Sequence, residues 1–179
     1  MNRFLLYLHI NSSDENKEHA FNEIWKKYYQ RLYVFIQPIV KENTADVLQT
    51  VMLKVFQNLD KYNPVYSFST WIYTIARNCA LNHAVKKQIN VDYSSEPDLH
   101  GAEENFEQQY LCKEELLLIT SFLQSLPELH QQIAFLRFFE GFSISEIAAI
   151  VDIPAGTVKS RLYYLRKELK HIIEANDEK

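Results

Sequence analysis

The sequence of 179 residues lacks the features that mark several large classes of protein. Two cysteines are too few for the disulfide framework of a small secreted domain, and their positions match neither a C-x-x-C motif nor a metal-ligand spacing. Three glycines and five prolines leave few tight turns and favour long helices. No apolar run reaches the roughly 18 residues of a membrane-spanning helix. These absences predict a reduced cytoplasmic protein without direct membrane insertion.

Signatures of catalysis are also missing. The six histidines form no H-E-x-x-H motif, and there is no glycine-rich phosphate loop or nucleophile elbow. The apolar first ten residues have one basic residue, a short apolar run and no signal-peptide cleavage site, so a signal peptide is not predicted and the sequence assigns them no role. We therefore predict a binding protein with no catalytic residue, no metal site and no cofactor.

The formal net charge of −4 hides an uneven distribution along the chain. Residues 1–90 hold 11 basic and 7 acidic residues, residues 91–125 hold one basic and eight acidic, and residues 126–179 hold 7 basic and 8 acidic. Five of those last basic residues lie between Lys159 and Lys170. The acidity is therefore concentrated in the middle of the chain, and the total charge does not exclude a nucleic-acid partner.

Apolar residues recur at three-to-four spacing along most of the chain, which predicts an all-α protein. Helices are expected over residues 20–40, 46–59, 69–87 and 114–126, and from Pro127 to about Glu140. The region between the third and fourth helices is acidic and contains serine, proline and glycine, as linkers do. The predicted order is an N-terminal extension (1–16), a helical bundle (17–90), a flexible acidic linker (91–113), a helix-turn-helix domain (114–175) and a tail (176–179).

The third predicted helix has two distinct faces at about 100° per residue. Its core stripe is expected to hold Ile72, Ile75, Ala76, Cys79 and His83. A neighbouring face combines one ring with two amides: Trp71, Asn78 and Asn82. Such a face suits unpaired bases, because ring stacking is worth about 1–3 kcal/mol per base and amides can read base edges. Aromatic residues precede the helix and lysines end it, namely Tyr62, Tyr66, Phe68, Lys86 and Lys87. In the alternative interpretation, Trp71 caps the core and the tyrosines cover it.

The most specific pattern lies near the C-terminus and predicts a helix-turn-helix. Ser143 and Glu146 have the spacing of a capping box, and a three-residue turn follows the short helix that they begin. Pro154 then suits the first turn of a second helix. That helix is expected to bury Val158, Leu162, Leu165 and Leu169. Its other side holds hydroxyl and basic residues fit for a DNA major groove: Thr157, Lys159, Ser160, Arg161, Tyr163, Tyr164, Lys167 and Lys170. The alternative is a solvated basic helix end.

Three motifs together resemble the extracytoplasmic-function sigma factors of the sigma-70 superfamily, over roughly residues 17–175. The first is D-V-L-Q at residues 46–49 with V-F-Q-N-L at 55–59, and the second is F-S-T-W-I-Y-T-I-A-R-N at 68–78. The third joins Leu126 and Pro127 to I-P-A-G-T-V-K-S-R-L at 153–162. Their order and spacing make the set more specific than any one motif.

The resemblance implies a role for each motif in transcription initiation. The first is expected to dock on core RNA polymerase through Asp46, Gln49, Thr50, Leu53 and Lys54. The second is expected to recognise and melt the promoter minus 10 element, with Asn78 lining a pocket for a flipped base. The third is expected to bind the minus 35 element, with Arg137 added to the face of the second helix.

The resemblance also implies partners. They are core RNA polymerase, through its beta-prime clamp helices and beta flap, promoter DNA, and an anti-sigma factor, often a membrane-bound one in relatives. The acidic linker is expected to thread the polymerase cleft toward the RNA exit channel. Three residues depart from the family pattern: Thr50 where an acid is usual, Asp152 in place of a turn glycine, and Tyr164 at an often basic position. The other hypothesis is a helix-turn-helix regulator whose N-terminal bundle senses a ligand or partner.

Overall fold

The computed structural model describes residues 14–65, 67–91 and 113–177. The chain divides into two compact units, Met1–Asp98 and Leu99–Lys179. Every regular element in the described ranges is a helix, which confirms the all-α fold with two helical domains. Residues 1–13 of the expected N-terminal extension, residues 92–112 of the expected linker and residues 178–179 of the tail lie outside the described residues.

Within its described residues, the first unit has three α-helices that pack against one another in all three pairs. They are α1 (Asp14–Val40), α2 (Thr44–Asn58) and α3 (Phe68–Val91). Single turns of 3-10 helix, Lys41–Asn43 and Leu59–Lys61, follow α1 and α2. All three predicted helices are confirmed, and each begins earlier than its apolar pattern does because its first turn is partly polar. At the end of this bundle the ammonium of Lys17 is 2.5 Å from the carboxylate of Asp60, which ties α1 to the turn after α2.

The buried side of α3 differs from the predicted stripe. Tyr73 and Ala80 are fully buried, whereas Ile75 and His83 are only half-buried. At about 100° per residue, the buried arc therefore lies roughly 50° further round the helix than expected. The reason is that α3 packs against both α1 and α2, so that Tyr73 lies in the core with its ring edge-on to Phe35 of α1 at 5.0 Å.

Over residues 113–177, the second unit holds four α-helices and one π-helical segment. They are α4 (Lys113–Ser125), α5 (Glu128–Ala134), the π segment (Phe135–Phe139), α6 (Ile144–Val151) and α7 (Ala155–Asp177). The sequence predicted one helix from Pro127 to about Glu140, and the segment is helical as far as Phe139, but its second half is π instead of α. A π turn holds an extra residue, so Glu140 N–H donates to the carbonyl of Phe135 at 3.2 Å. Gly141 then ends the segment at a φ of 74°.

The predicted capping box and turn are both present. The Ser143 hydroxyl accepts from the N–H of Glu146 at 3.3 Å, and the Glu146 carboxylate accepts from the N–H of Ser143 at 3.0 Å. Helix α6 ends at Val151, and its C-cap residue Asp152 is left-handed, with a φ of 51° and a ψ of 52°. The carbonyl of Pro154 accepts the first two hydrogen bonds of α7, from Thr157 at 2.9 Å and Val158 at 3.1 Å. This arrangement confirms the helix-turn-helix.

The left-handed conformation of Asp152 predicts how substitutions at this position change the stability of the chain. A side chain with a Cβ costs roughly 1–2 kcal/mol in this conformation, less for aspartate and nothing for glycine. We expect Asp152→Gly to raise the melting temperature of the chain slightly and Asp152→Val to lower it by several degrees. Thermal unfolding followed by circular dichroism checks both. A valine variant as stable as the parent would contradict the left-handed geometry.

Candidate nucleic-acid interfaces

The first interface is built around Trp71, in the first turn of α3. Its ring is half-buried and lies 5.4 Å between centroids from both Tyr62 and Phe68. Those two rings lie edge-on to each other at 5.1 Å and expose only 2% and 6% of their surface. Tyr62 and Phe68 were expected to contact DNA themselves, but burial leaves neither ring face open to a base. Both rings contact Trp71. Trp71 thus covers part of the core, in agreement with the alternative interpretation, although it is itself only half-buried.

The remainder of the outer face of α3 is open to solvent. Asn78 and Asn82 are exposed within about 40° of Trp71 around the helix, and Lys86 and Lys87 are exposed near its end. Two apolar residues that sequence reasoning did not single out, Leu81 and Val85, are also exposed on this side. Tyr66, another expected contact, lies outside the described residues.

Helix α2 carries a second exposed surface. Five side chains expected to dock on a protein partner are all exposed: Asp46, Gln49, Thr50, Leu53 and Lys54. Leu53 exposes 56% of its surface at the centre of this face, which we call the α2 docking face. The opposite side of the helix is buried in the bundle, with Val51 and Val55 fully covered. The docking residues can therefore meet a partner without any change in the core.

The third surface lies on α7. Val158, Leu162 and Leu165 are buried, as predicted, whereas Leu169 is only half-buried. Side chains of the opposite face are exposed, namely Lys159, Ser160, Tyr163, Tyr164, Lys167 and Lys170, with Thr157 and Arg161 half-buried at its margins. Tyr163 exposes 73% and Tyr164 exposes 49% of its surface. The face therefore presents hydroxyl groups, rings and cations in one row along the helix.

Arg137, also expected at DNA, has a contact within its own unit. Its guanidinium donates to the carbonyl of Phe142 at 2.8 Å and so braces the turn that enters α6. The side chain is half-buried. Because a guanidinium has five N–H donors, this one hydrogen bond leaves others for a phosphate.

Two titratable groups near these surfaces are held neutral. Burial lowers the pKa of His130, and the nearby positive charge of Arg161 lowers it further. Burial raises the pKa of the Cys79 thiol, and Lys54 partly offsets this effect. His130 therefore adds no charge beside α7, and Cys79 remains a small apolar core residue.

In the described part of the chain, no three His, Cys, Asp or Glu side chains are grouped to hold a metal ion. Nor, within the same residues, is any helix long and apolar enough to cross a membrane.

Two protein-family models match the chain, and each lies within one of the two units. The Sigma-70 region 2 family model matches residues 24–89, which cover most of α1, all of α2 and most of α3. The Sigma-70, region 4 family model matches residues 116–169, from α4 into α7.

Relatives match over most of the chain. The ECF RNA polymerase sigma-E factor of Escherichia coli (strain K12) is 32% identical over 168 residues, 87% of each chain. The sigma-E factor of Haemophilus influenzae is 28% identical over 171 residues, 87% of this chain and 88% of that one.

Two solved structures share the fold. The sigma factor RpoE of Bartonella quintana, in complex with the anti-sigma factor NepR, matches with a TM-score of 0.71 at 21% identity, over 86% of this chain and 96% of that one. CnrH, in complex with the cytosolic domain of CnrY, matches with a TM-score of 0.62 at 16% identity, over 97% of both chains. With these matches, the chain belongs to the extracytoplasmic-function sigma factors of the sigma-70 family, the proteins of transcription initiation.

Proposed function

We propose that this chain is a dissociable subunit that directs core RNA polymerase to promoters by binding the minus 35 element through α7 and melting the minus 10 element through α3. The observation that carries the proposal is the separation of faces on these two helices. On each one the apolar side builds the core, and the outer side presents ring, amide, hydroxyl or cationic groups to solvent. The enclosing units match the two sigma-70 regions.

Recognition of the minus 35 element is assigned to the exposed face of α7. Thr157, Lys159 and Ser160 lie at its N-terminal end, where a recognition helix reaches base edges. Arg161 and Lys167 follow and are placed to hold phosphates, with Arg137 as a further phosphate contact from the π segment. Tyr163 and Tyr164 add two exposed rings, and an aromatic ring can contact a thymine methyl group.

Melting of the minus 10 element is assigned to the face of α3 that holds Trp71, Asn78 and Asn82. The exposed part of the half-buried Trp71 side chain can stack on a base once that base has left the duplex, and an amide can bind its edge. Lys86 and Lys87 are placed for the phosphates of the same strand. Tyr66 is retained as a further proposed contact. Tyr62 and Phe68 are proposed to act beneath Trp71 and not on DNA.

The α2 docking face is proposed to bind the beta-prime clamp helices of core polymerase, and the second unit is proposed to bind the beta flap. Catalysis belongs to the polymerase in this proposal, and the chain works with it in the cytoplasm. An anti-sigma factor is proposed as a regulatory partner, because the RpoE neighbour is bound to the anti-sigma factor NepR and the CnrH neighbour to the cytosolic domain of CnrY. The acidic segment between the units is proposed to lie in the polymerase cleft, where its charge suits basic walls.

Run-off transcription tests the proposal directly. Purified chain is added to core RNA polymerase and sheared genomic DNA of the source bacterium, and the 5′ ends of the transcripts are mapped. We expect discrete start sites that are absent with core enzyme alone. A helix-turn-helix regulator without a role in the polymerase would give no such transcripts, and that result would refute the proposal.

The Lys159→Ala variant distinguishes minus 35 binding from minus 10 melting. It is tested on a promoter that run-off transcription has mapped. We expect about five- to a hundredfold weaker binding of holoenzyme to duplex minus 35 DNA, because a good contact to a base edge is worth about 1–3 kcal/mol. Transcription from a template melted in advance at minus 10 is expected to stay within about twofold of the parent.

The control for Lys159 is Lys26→Ala, which removes a similarly exposed lysine on α1. This variant is expected to bind both templates as the parent does. Equal losses on duplex and melted templates for Lys159→Ala would contradict the assignment of α7 to minus 35.

A further inference from the structure

The ring of Trp71 rests on two other rings that leave it little freedom. Tyr62 and Phe68 each lie 5.4 Å from it, with interplanar angles of 48° and 44°. Such tilted and edge-on pairs contribute attraction beyond the area that they bury. The indole is therefore held by two rings of the protein, while the Trp71 side chain as a whole is only half-buried.

The supporting rings are themselves anchored to α1. Phe68 lies edge-on to Tyr28 at 5.8 Å. The hydroxyl of Tyr28 is 2.9 Å from that of Ser69, the second residue of α3. The N–H of Trp71 donates to the carbonyl of Ser67 at 3.0 Å, which sets the backbone of the same turn. The start of α3 is thus held in place through side chains as well as through its backbone.

We propose that Tyr62 and Phe68 are positioning residues that hold the indole of Trp71 in the orientation needed to stack on an unpaired minus 10 base. This inference rests on the proposed function. A side chain ordered before binding loses less conformational freedom when it binds, which is worth about two- to tenfold in affinity. The melted strand therefore meets a preset ring, and promoter opening depends on two residues that do not touch DNA.

Ordinary core packing is the competing explanation, and Phe35 offers a matched control. It is as buried as the supporting rings, at 1% exposure, and lies in the same unit. Its ring packs edge-on against Tyr73, which points about 160° away from Trp71 around α3. Substitution of Phe35 therefore removes a buried ring from the same core without removing the support of Trp71.

The experiment uses the full chain with Trp25→Phe, so that Trp71 is the one remaining tryptophan of the two. Tyr62, Phe68 and Phe35 are each changed to methionine, which keeps apolar volume but lacks a flat rigid surface. Trp71 fluorescence anisotropy reports the freedom of the indole. Permanganate footprinting of holoenzyme on a mapped promoter reports strand opening, at a temperature where each variant is folded by circular dichroism.

We expect Tyr62→Met and Phe68→Met to lower the anisotropy and to reduce open complexes about two- to tenfold, with unchanged binding to duplex minus 35 DNA. Phe35→Met is expected to lower the melting temperature but to leave the Trp71 anisotropy and the yield of open complexes unchanged. Tyr62→Phe keeps the ring and is expected to give values of both near those of the parent. Equal loss of opening in Phe35→Met, or unchanged anisotropy in Tyr62→Met, would overturn the inference. Failure of the unsubstituted chain to open the promoter would instead refute the proposed function.

Discussion

Replacing Trp71 with alanine is expected to reduce promoter opening by about ten- to a hundredfold while leaving the affinity for core polymerase within about twofold. The magnitude follows from the roughly 1–3 kcal/mol that one base–ring stack contributes. Trp71 is only half-buried, so part of its side chain can meet a base, and the α2 docking face lies on another helix. Permanganate footprinting measures opening, and equilibrium binding of labelled chain to core enzyme measures affinity.

The control for Trp71 is the other tryptophan of the chain. Trp25 exposes 36% of its surface and stacks on Tyr29 at 4.8 Å, and neither residue has a proposed role at DNA. Trp25→Ala is expected to open promoters as the parent does. Asn78→Ala is expected to impair opening in the same direction as Trp71→Ala, and to a smaller extent. If Trp71→Ala lost core binding and opening together, simple unfolding would explain both losses.

Leu53→Asp is expected to weaken binding to core polymerase by at least about tenfold. Leu53 exposes 56% of its surface at the centre of the α2 docking face, so the change leaves the bundle core intact. In a complex, however, it would bury a carboxylate without a designed partner, at a cost of about 2 kcal/mol or more. Asp46→Ala and Gln49→Ala are expected to act in the same direction with smaller effects. Competition with unlabelled parent for core enzyme measures the affinity of each variant.

Gln30→Asp provides the matched control for Leu53. It places the same carboxylate on an exposed position of α1, outside the α2 docking face. We expect this variant to bind core enzyme as the parent does, and both variants to melt at nearly the parent temperature. Unchanged affinity of Leu53→Asp would remove α2 from the proposed interface.

Sequence patterns predicted the helices well because each helix buries one apolar stripe. The capping box at Ser143 could also be predicted, because it depends on local residue chemistry, and Asp152 suits its left-handed turn because aspartate adopts positive φ more readily than most residues. The direction of the buried face around the axis of α3 was predicted only to within about 50°. It depends on packing against two neighbouring helices, α1 and α2, which the pattern of α3 alone does not specify. The π segment was missed because most of Phe135–Phe139 is apolar, and an unbroken apolar run gives no signal of an extra residue per turn.

For the candidate site too, features that depend on tertiary packing could not be predicted from the sequence. Exposed polar residues on α7 and α2 follow from the position of the buried stripe, and their placement needed no tertiary information. Burial of Tyr62 and Phe68 does depend on tertiary packing, since Tyr62 follows a 3-10 turn and Phe68 packs on Tyr28 of α1. The hydrogen bond between Tyr28 and Ser69 joins residues 41 positions apart, and no local pattern signals it.

The two proposed DNA faces differ in how freely they can diverge between related proteins. Most of the outer residues of α7 project into solvent, and surface substitutions away from special features usually change stability by no more than about 0.5 kcal/mol. Promoter preference at minus 35 can therefore change one residue at a time without loss of the fold. Trp71 rests on rings that belong to the core, so a different residue there would disturb packing as well as DNA contact. We expect natural variation among close relatives to accumulate on α7 while the Trp71 cluster stays fixed.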